Sequence, residues 1–390
     1  MQSTTLRVAL FSEYHQPYVS GTVIAVETQK KGLSALNHRF LHFTTSPTPT
    51  IQSDTIYLPS IKFPLSLGYT TPITTLYGSW FKQLIRFSPD IIHIQHPFVS
   101  GLLGIAASKR LNVPVVFTYH TFLHHYAHYV PIPSTITIRI LNFITRWFAN
   151  HCDRVIAPSQ VANDYLLSHH VLTPVDTIPT GIDITQFSPG NAEEIRTRYD
   201  IGQNDPVFIT CGRLVKEKNL TVLINIFKTI YDLYPTSKLM VIGDGPERNH
   251  LNELCVTKGI SASVKFVGEV EHHQLHKYYS AADGFLFTSL SETQGIVVLE
   301  ALACGLPVLC LKECEAARTY VKDGINGFVC EIDQFASSID YLITHPVFLQ
   351  EMRKAARDSA IPYSTLACAQ QLLQVYQDVI LTHSPRRLPE

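Results

Sequence analysis

Short apolar runs alternate with longer stretches whose apolar residues recur at helical spacing, and this alternation occurs twice along the chain. In the first half, Leu6-Arg7-Val8-Ala9-Leu10-Phe11 predicts a strand, 17–21 a loop, and a helical stretch follows. A helical stretch over 69–87 leads into Asp90-Ile91-Ile92-His93-Ile94-Gln95, and 113–119 and 154–158 are further β-branched runs. The rhythm restarts at Val207-Phe208-Ile209-Thr210-Cys211, a strand, then a loop over 212–218. A helix over 219–234 follows, with apolar residues at 222, 223, 226, 227 and 230. Strands are also expected at 238–242, 264–267, 284–287 and 308–311. Strands alternating with helices predict parallel βαβ units. The fold class is therefore α/β, two Rossmann-like doubly wound domains facing a central cleft, with ligands at the carboxyl ends of the strands. The expected division is 1–185 and 186–365, since Pro174, Pro179, Gly181, Pro189 and Gly190 gather at the join. A last helical stretch within 366–390 has no strand after it and can pack back onto the first domain.

Composition narrows the picture. The chain has 390 residues, enough for two or three domains at about 150 residues each. With 45% hydrophobic and 16% charged residues it is too apolar for intrinsic disorder. It carries no apolar run of about 18 residues, so no membrane span is expected. The start breaks into Ser12, Glu13 and His15 too early for a secretory signal, which predicts a cytoplasmic protein. A net charge of −1 argues against nucleic acid as a partner. The charge is unevenly spread: 12 Lys+Arg against 8 Asp+Glu up to residue 185, and 19 against 24 beyond it. A mildly basic, aromatic front half suits an anionic membrane surface. The eight cysteines contain no C-x-x-C pair, which excludes zinc-ribbon and thioredoxin-type motifs and leaves them as small buried hydrophobes.

Chemistry concentrates in two places. Ser291-Glu292-Thr293-Gln294-Gly295-Ile296-Val297-Val298-Leu299-Glu300 opens an apolar helix, with Ser291 as its expected cap. Amides of Gly295, Ile296 and Val297 at a helix N-terminus form an anion site, and Glu300 further in can accept from a pair of hydroxyls. An acidic helix start would explain Glu292 alone but not the whole pattern. After the strand 207–211, Gly212-Arg213-Leu214-Val215-Lys216-Glu217-Lys218-Asn219 places cations where a diphosphate would sit. As a merely solvated helix start it would be badly charged, because cations there oppose the helix dipole.

Together these residues resemble the retaining, nucleotide-sugar-dependent glycosyltransferases of family 4 (GT4), with their two-domain GT-B fold. Glu292 and Glu300 match the E-x7-E pattern, and Gly212, Arg213, Leu214, Lys218 and Asn219 match the G-R-L-x-x-x-K-N loop. Ile178-Pro179-Thr180-Gly181-Ile182-Asp183 resembles the family's linker, Asp323-Gly324-Ile325-Asn326-Gly327-Phe328 its late loop, and the segment 17–22 its N-terminal glycine loop. The resemblance implies that Arg213, Lys218 and the amides of Ile296 and Val297 bind a donor diphosphate near Gly21. It implies Glu300 at the ribose, Glu292 with Thr293, Gln294 and Gly295 at the transferred sugar, and Val267 and Gly268 against the base. It implies no cofactor and no metal, because Arg and Lys supply the positive charge at the leaving group.

Tyr119-His120-Thr121-Phe122-Leu123-His124-His125-Tyr126-Ala127-His128-Tyr129 holds four histidines. Spacing of His120 and His124 permits a zinc site, but no acid or cysteine accompanies them. His120 instead matches a family histidine near the reacting centre. The Tyr-His-Thr start, the later His-Tyr-x-Pro and Gln294 resemble the branch that glucosylates diacylglycerol. That implies UDP-glucose as donor, a lipid acceptor touching Tyr126 and Tyr129, and peripheral attachment to the inner membrane face. Tyr77, Trp80, Lys82 and Arg86 in 69–87 then suit an interfacial helix, or else a sheet-covering one. The segment 134–150, with Ile136, Ile140, Phe143 and Trp147, is expected mainly to cover the sheet. Transfer to another lipid, an inositol lipid, a sugar or a polysaccharide precursor stays open, as does a nucleotide-sugar binder or epimerase.

Overall fold

The computed structural model describes residues 5–15, 20–46, 53–62, 70–125 and 133–383. The chain forms two compact units, Met1–Gly181 with Thr365–Glu390, and Ile182–Ser364.

Among the described residues the first unit has nine strands: β1 (Arg7–Phe11), β2 (Arg39–Thr44), β3 (Thr55–Tyr57), β4 (Ser60–Lys62), β5 (Thr70–Pro72), β6 (Ile91–Ile94), β7 (Val115–Thr118), β8 (Arg154–Ala157) and β9 (Val175–Thr177). Seven of them make one parallel sheet in the order β3-β2-β1-β6-β7-β8-β9, so the order reverses between β1 and β6. Strands such as Ile-Ile-His-Ile and Val-Val-Phe-Thr are buried throughout because helices cover both faces. Alternate side chains of β1 feed opposite layers: Ala9 and Phe11 join one core with Phe43, Trp80 and Phe117, while Val8 and Leu10 join another. That second core is closed by the C-terminal helix Thr365–Thr382, through Ala369, Leu372, Val375, Tyr376 and Val379, packed beside the first helix Gly21–Ala35.

The expected helix over 69–87 is shorter. Residues Thr70–Pro72 pair antiparallel with β4, as β-branched threonines and a proline favour, and the helix runs only Ser79–Phe87 after Gly78.

The second unit has six parallel strands, β10 (Val207–Cys211), β11 (Lys238–Ile242), β12 (Val264–Gly268), β13 (Gly284–Phe287), β14 (Val308–Leu311) and β15 (Gly327–Cys330). Their order is β12-β11-β10-β13-β14-β15, with the reversal between β10 and β13. Glycine is required where the loops cross: Gly243 has φ +119, and a Cβ there would lie 2.0 Å from the Gly212 carbonyl oxygen. None of the eight cysteines forms a disulfide, and all but Cys211 are buried. The α/β class with two doubly wound sheets is thus as the sequence predicts.

Candidate active site

Both sheets place the candidate residues at or near the carboxyl ends of strands, around the point where strand order reverses, the place where such sheets bind ligands.

In the second unit the loop after β10 and the loop after β13 are laced together. Thr288 Oγ1 donates to the Lys218 carbonyl at 3.0 Å, and the Leu290 amide donates to the Glu217 carbonyl at 3.1 Å. Lys218 Nζ forms an ion pair with Glu292 Oε1, which also accepts from Ser289 Oγ at 3.2 Å. A small cleft here is lined by Gly212, Arg213, Lys218, Thr288 and Ser289, with the Arg213 side chain exposed at its rim. The sequence assigned Lys218 to a diphosphate and Glu292 to a sugar; the structure brings the two into contact.

The following helix is Ile296–Ala303. Its cap is Gly295, at φ +72, rather than Ser291, which lies four residues too early; a left-handed cap residue is where glycine costs least. Amides of Ile296 and Val297 stand in the first turn, where no intrahelical carbonyl is available. Thr293 is half-buried and Gln294 buried. Glu300 is 1% exposed, and both of its oxygens are engaged. His272 Nε2 donates to Oε1 at 2.6 Å and Tyr279 OH donates to Oε2 at 3.0 Å. Burial lowers the His272 pKa, but the bond to Glu300 outweighs it and the net shift is upward. Burial, with Glu300 close by, drives the Cys211 thiol up to about 12 and the Tyr279 phenol well above its usual range. His272 and Tyr279 escaped the sequence reading; the only signal was the run of histidines and tyrosines between β12 and β13. Val267 and Gly268 close β12, and Gly268 takes φ +85 while its carbonyl accepts from the Gly243 amide at 2.8 Å.

In the first unit, Gly21 opens the first helix, capped by Ser20, whose Oγ accepts from the Val23 amide at 3.2 Å. His120 stands two residues beyond β7. Its Nε2 donates to Gln95 Oε1 at 2.6 Å, and Gln95 Nε2 donates to Gln29 Oε1 at 3.0 Å, so a chain of amides fixes the imidazole. Burial lowers the His120 pKa to about 3. His124 stacks on Tyr165 with ring centroids 4.7 Å apart. Tyr126 and Tyr129 lie outside the described residues.

One other group has metal-ligand geometry among the described residues: atoms of His15, Glu27 and His42 within 4.8 Å of one another. Lys30 Nζ lies 3.5 Å from the same Glu27 oxygen and 3.0 Å from Asp54, so a cation of the chain already neutralises these carboxylates. The donor set does not favour a second cation.

The proposed membrane residues separate. Trp80 is 1% exposed, its ring packed on Phe11 and Phe43 and its Nε1 donating to the Thr75 carbonyl at 3.0 Å. It is a core residue and cannot meet a bilayer, a correction to its place in the interfacial set. Tyr77, Lys82 and Arg86 are exposed. The helix Ser134–Ala149, expected mainly to cover the sheet, exposes Ile136, Ile140, Phe143 and Trp147 in a single stripe at helical spacing. Arg146 stands 5.8 Å from the Phe143 ring centroid, and the helix contains no acidic residue. Among the described residues no helix is long and apolar enough to cross a membrane.

Two family models match in tandem: "Glycosyltransferase Family 4" over residues 19–186 and "Glycosyl transferases group 1" over residues 191–359. An α-monoglucosyldiacylglycerol synthase of Streptococcus pneumoniae is 32% identical, over 78% of this chain and 70% of that protein. The chain is a family 4 glycosyltransferase. A synthase of the same description from Acholeplasma laidlawii is 29% identical over 96% of this chain and 98% of its own. Among solved structures, Anabaena HepE in complex with UDP-glucose superposes with a TM-score of 0.75, 18% identity and coverage of 96% and 100%. The GT-B fold expected from the motifs is therefore the fold of this enzyme.

Proposed function

We propose that this glycosyltransferase moves glucose from UDP-glucose to 1,2-diacylglycerol, with retention at the anomeric carbon and without a metal, while attached peripherally to an anionic membrane surface at its cytoplasmic face. The observation that carries the lipid reading is the exposed stripe Ile136, Ile140, Phe143 and Trp147 on an acid-free helix with Arg139 and Arg146. Aromatic and aliphatic side chains beside arginines suit a helix lying in a headgroup layer. Support for the sugar and acceptor comes from the two α-monoglucosyldiacylglycerol synthases that align over most of this chain.

On this reading Arg213, Lys218 and the amides of Ile296 and Val297 bind the diphosphate and stabilise the charge of the leaving group, the work a metal does elsewhere. Glu300 accepts from the ribose hydroxyls with the lone pairs that His272 and Tyr279 leave open. Glu292, held by Lys218 and Ser289, takes the sugar hydroxyls, while Val267 and Gly268 flank the base. His120 stands at the reacting centre. A donor phosphate oxygen helps to remove the acceptor's proton during front-face attack, so neither glutamate becomes a covalent nucleophile.

The test incubates labelled UDP-glucose with diacylglycerol in mixed micelles containing an anionic phospholipid, with EDTA throughout. An α-glucosyl lipid in the organic phase is expected. A β-linked product would overturn retention, and activity abolished by EDTA would overturn metal independence. Label transferred to a water-soluble acceptor, or only from GDP-mannose, would overturn the acceptor or the donor respectively.

A further inference from the structure

The carboxyl end of the first sheet holds a second histidine beside His120. His96 stands two residues beyond β6, as His120 stands two beyond β7, and these strands are neighbours with Ile94 opposite Phe117. Its side chain is buried, the residue being 5% exposed. The ring sits 4.6 Å from Tyr14 and 6.4 Å from Phe98, centroid to centroid.

The protonation of this ring is settled by its neighbours. The Glu13 amide donates to His96 Nδ1 at 3.1 Å, so Nδ1 must offer a lone pair. Burial, with His120 nearby, lowers the pKa to about 3, so the ring is neutral. The single proton is therefore on Nε2, and among the described residues that Nε2–H has no hydrogen-bond partner. Buried donors are nearly always satisfied, and an orphan beside a reacting centre points to a ligand oxygen. Its neighbours do not supply one. His93, on β6 itself, has Nδ1 bonded to Tyr376 OH at 2.6 Å and Nε2 to Thr118 Oγ1 at 2.7 Å. The Glu13 carboxylate turns to Ser100, accepting from its amide at 3.0 Å and its hydroxyl at 2.8 Å.

We infer that His96 is an acceptor-binding residue whose Nε2–H donates to an oxygen of the acceptor substrate and so positions its reacting hydroxyl. A neutral donor suits a hydroxyl or ester oxygen, where a phosphate would call for a cation. With the Nδ1 lone pair committed to Glu13, the ring has no site left to take a proton, so its part is orientation and not general base catalysis. The inference rests on the glycosyl transfer proposed above.

The full-length enzyme, His96→Asn and His96→Gln are compared in micelles of 1,2-dioleoylglycerol with an anionic phospholipid. Asparagine puts its carboxamide oxygen where Nδ1 stood, keeping the Glu13 amide satisfied, but offers nothing at Nε2. Glutamine reaches that place with an N–H. His96→Asn is expected to raise the acceptor KM by about tenfold or more, the loss of one hydrogen bond. Its UDP affinity and melting temperature should stay at wild-type values, and His96→Gln should restore most of the acceptor KM. An unchanged acceptor KM in His96→Asn, or UDP affinity that falls in step with it, would overturn the assignment. So would a glutamine variant no better than asparagine. If wild type transfers only to a sugar or inositol acceptor, the lipid reading fails and His96 is scored on that acceptor. A wild type that transfers to nothing removes the transfer reading and this inference together.

Discussion

Glu300 shows why residue identity alone misleads. A carboxylate has about four acceptor positions, and here His272 and Tyr279 take one on each oxygen. The remaining pair is pre-aimed, because neither oxygen can turn without breaking a buried bond. Two charge-assisted bonds to a ribose are worth about 1.5–3 kcal/mol each. Glu300→Ala should therefore weaken UDP binding by about two to four decades, at 1.4 kcal/mol per decade. Calorimetric titration with UDP checks it, and unchanged affinity would remove the ribose from this carboxylate. The His272 partner adds a pH signature. Its folded pKa lies above the unfolded 6.5, so its contribution to stability is complete below 6.5 and fades as pH rises through the folded value. The melting temperature of wild type relative to His272→Gln should therefore fall as pH rises above 6.5. A parallel pair of curves would mean that His272 gains no proton affinity from Glu300. Glu292, Glu300, Arg213 and Lys218 were legible because their spacing forms a motif. His272, Tyr279 and His96 were not, since what singles them out is the partner each nitrogen or hydroxyl meets, and the partners are distant in sequence.

At the scale of elements, amphipathic spacing predicts a helix but not which neighbour covers its apolar face. The helix Ser79–Phe87 and the helix Ser134–Ala149 both carry aromatics beside cations. Trp80, Phe81 and Leu84 turn inward onto β1 and β2, filling a core that already contains Phe11 and Phe43. On the second helix Thr137, Thr145, Phe148 and Ala149 face inward, which leaves Ile136, Ile140, Phe143 and Trp147 outside. The sequence weighed these two helices the opposite way, because only the packed sheet decides which side is spare. Ile140→Glu with Phe143→Glu should abolish sedimentation with anionic vesicles, while UDP affinity and melting temperature hold. Lys82→Glu with Arg86→Glu should have the smaller effect, since Ile85 is the only large apolar side chain exposed on that helix. Equal losses from the two pairs would show attraction by net charge without a docked face.

The whole molecule repeats one architecture, and the chain leaves the first unit at Gly181 only to return to it at Thr365. Alternation of strand and helix made both sheets legible, because parallel strands buried on two faces leave a continuous apolar trace. The return was weaker in the sequence, as a helix without a following strand says little about its destination. The structure supplies the reason it docks. Tyr376 is 0% exposed and its hydroxyl meets His93 Nδ1 at 2.6 Å, while Leu372, Val375 and Val379 cover Val8, Leu10 and Val26. The His93 pair thus ties the last helix to the central strand β6, whose loop carries Gln95 and His96. Burial lowers the His93 pKa to about 3, so the ring is neutral and Tyr376 meets it as a hydroxyl partner. Tyr376→Phe keeps the packing and leaves one imidazole nitrogen unpaired at a cost of about 1–3 kcal/mol. A unit of this size loses roughly 2–4 °C of melting temperature per kcal/mol. Scanning calorimetry should therefore show the transition of the first unit lowered by roughly 2–12 °C, with UDP affinity at the second unit unchanged. An unshifted transition would mean that the apolar face of the helix holds it in place without the His93 bond.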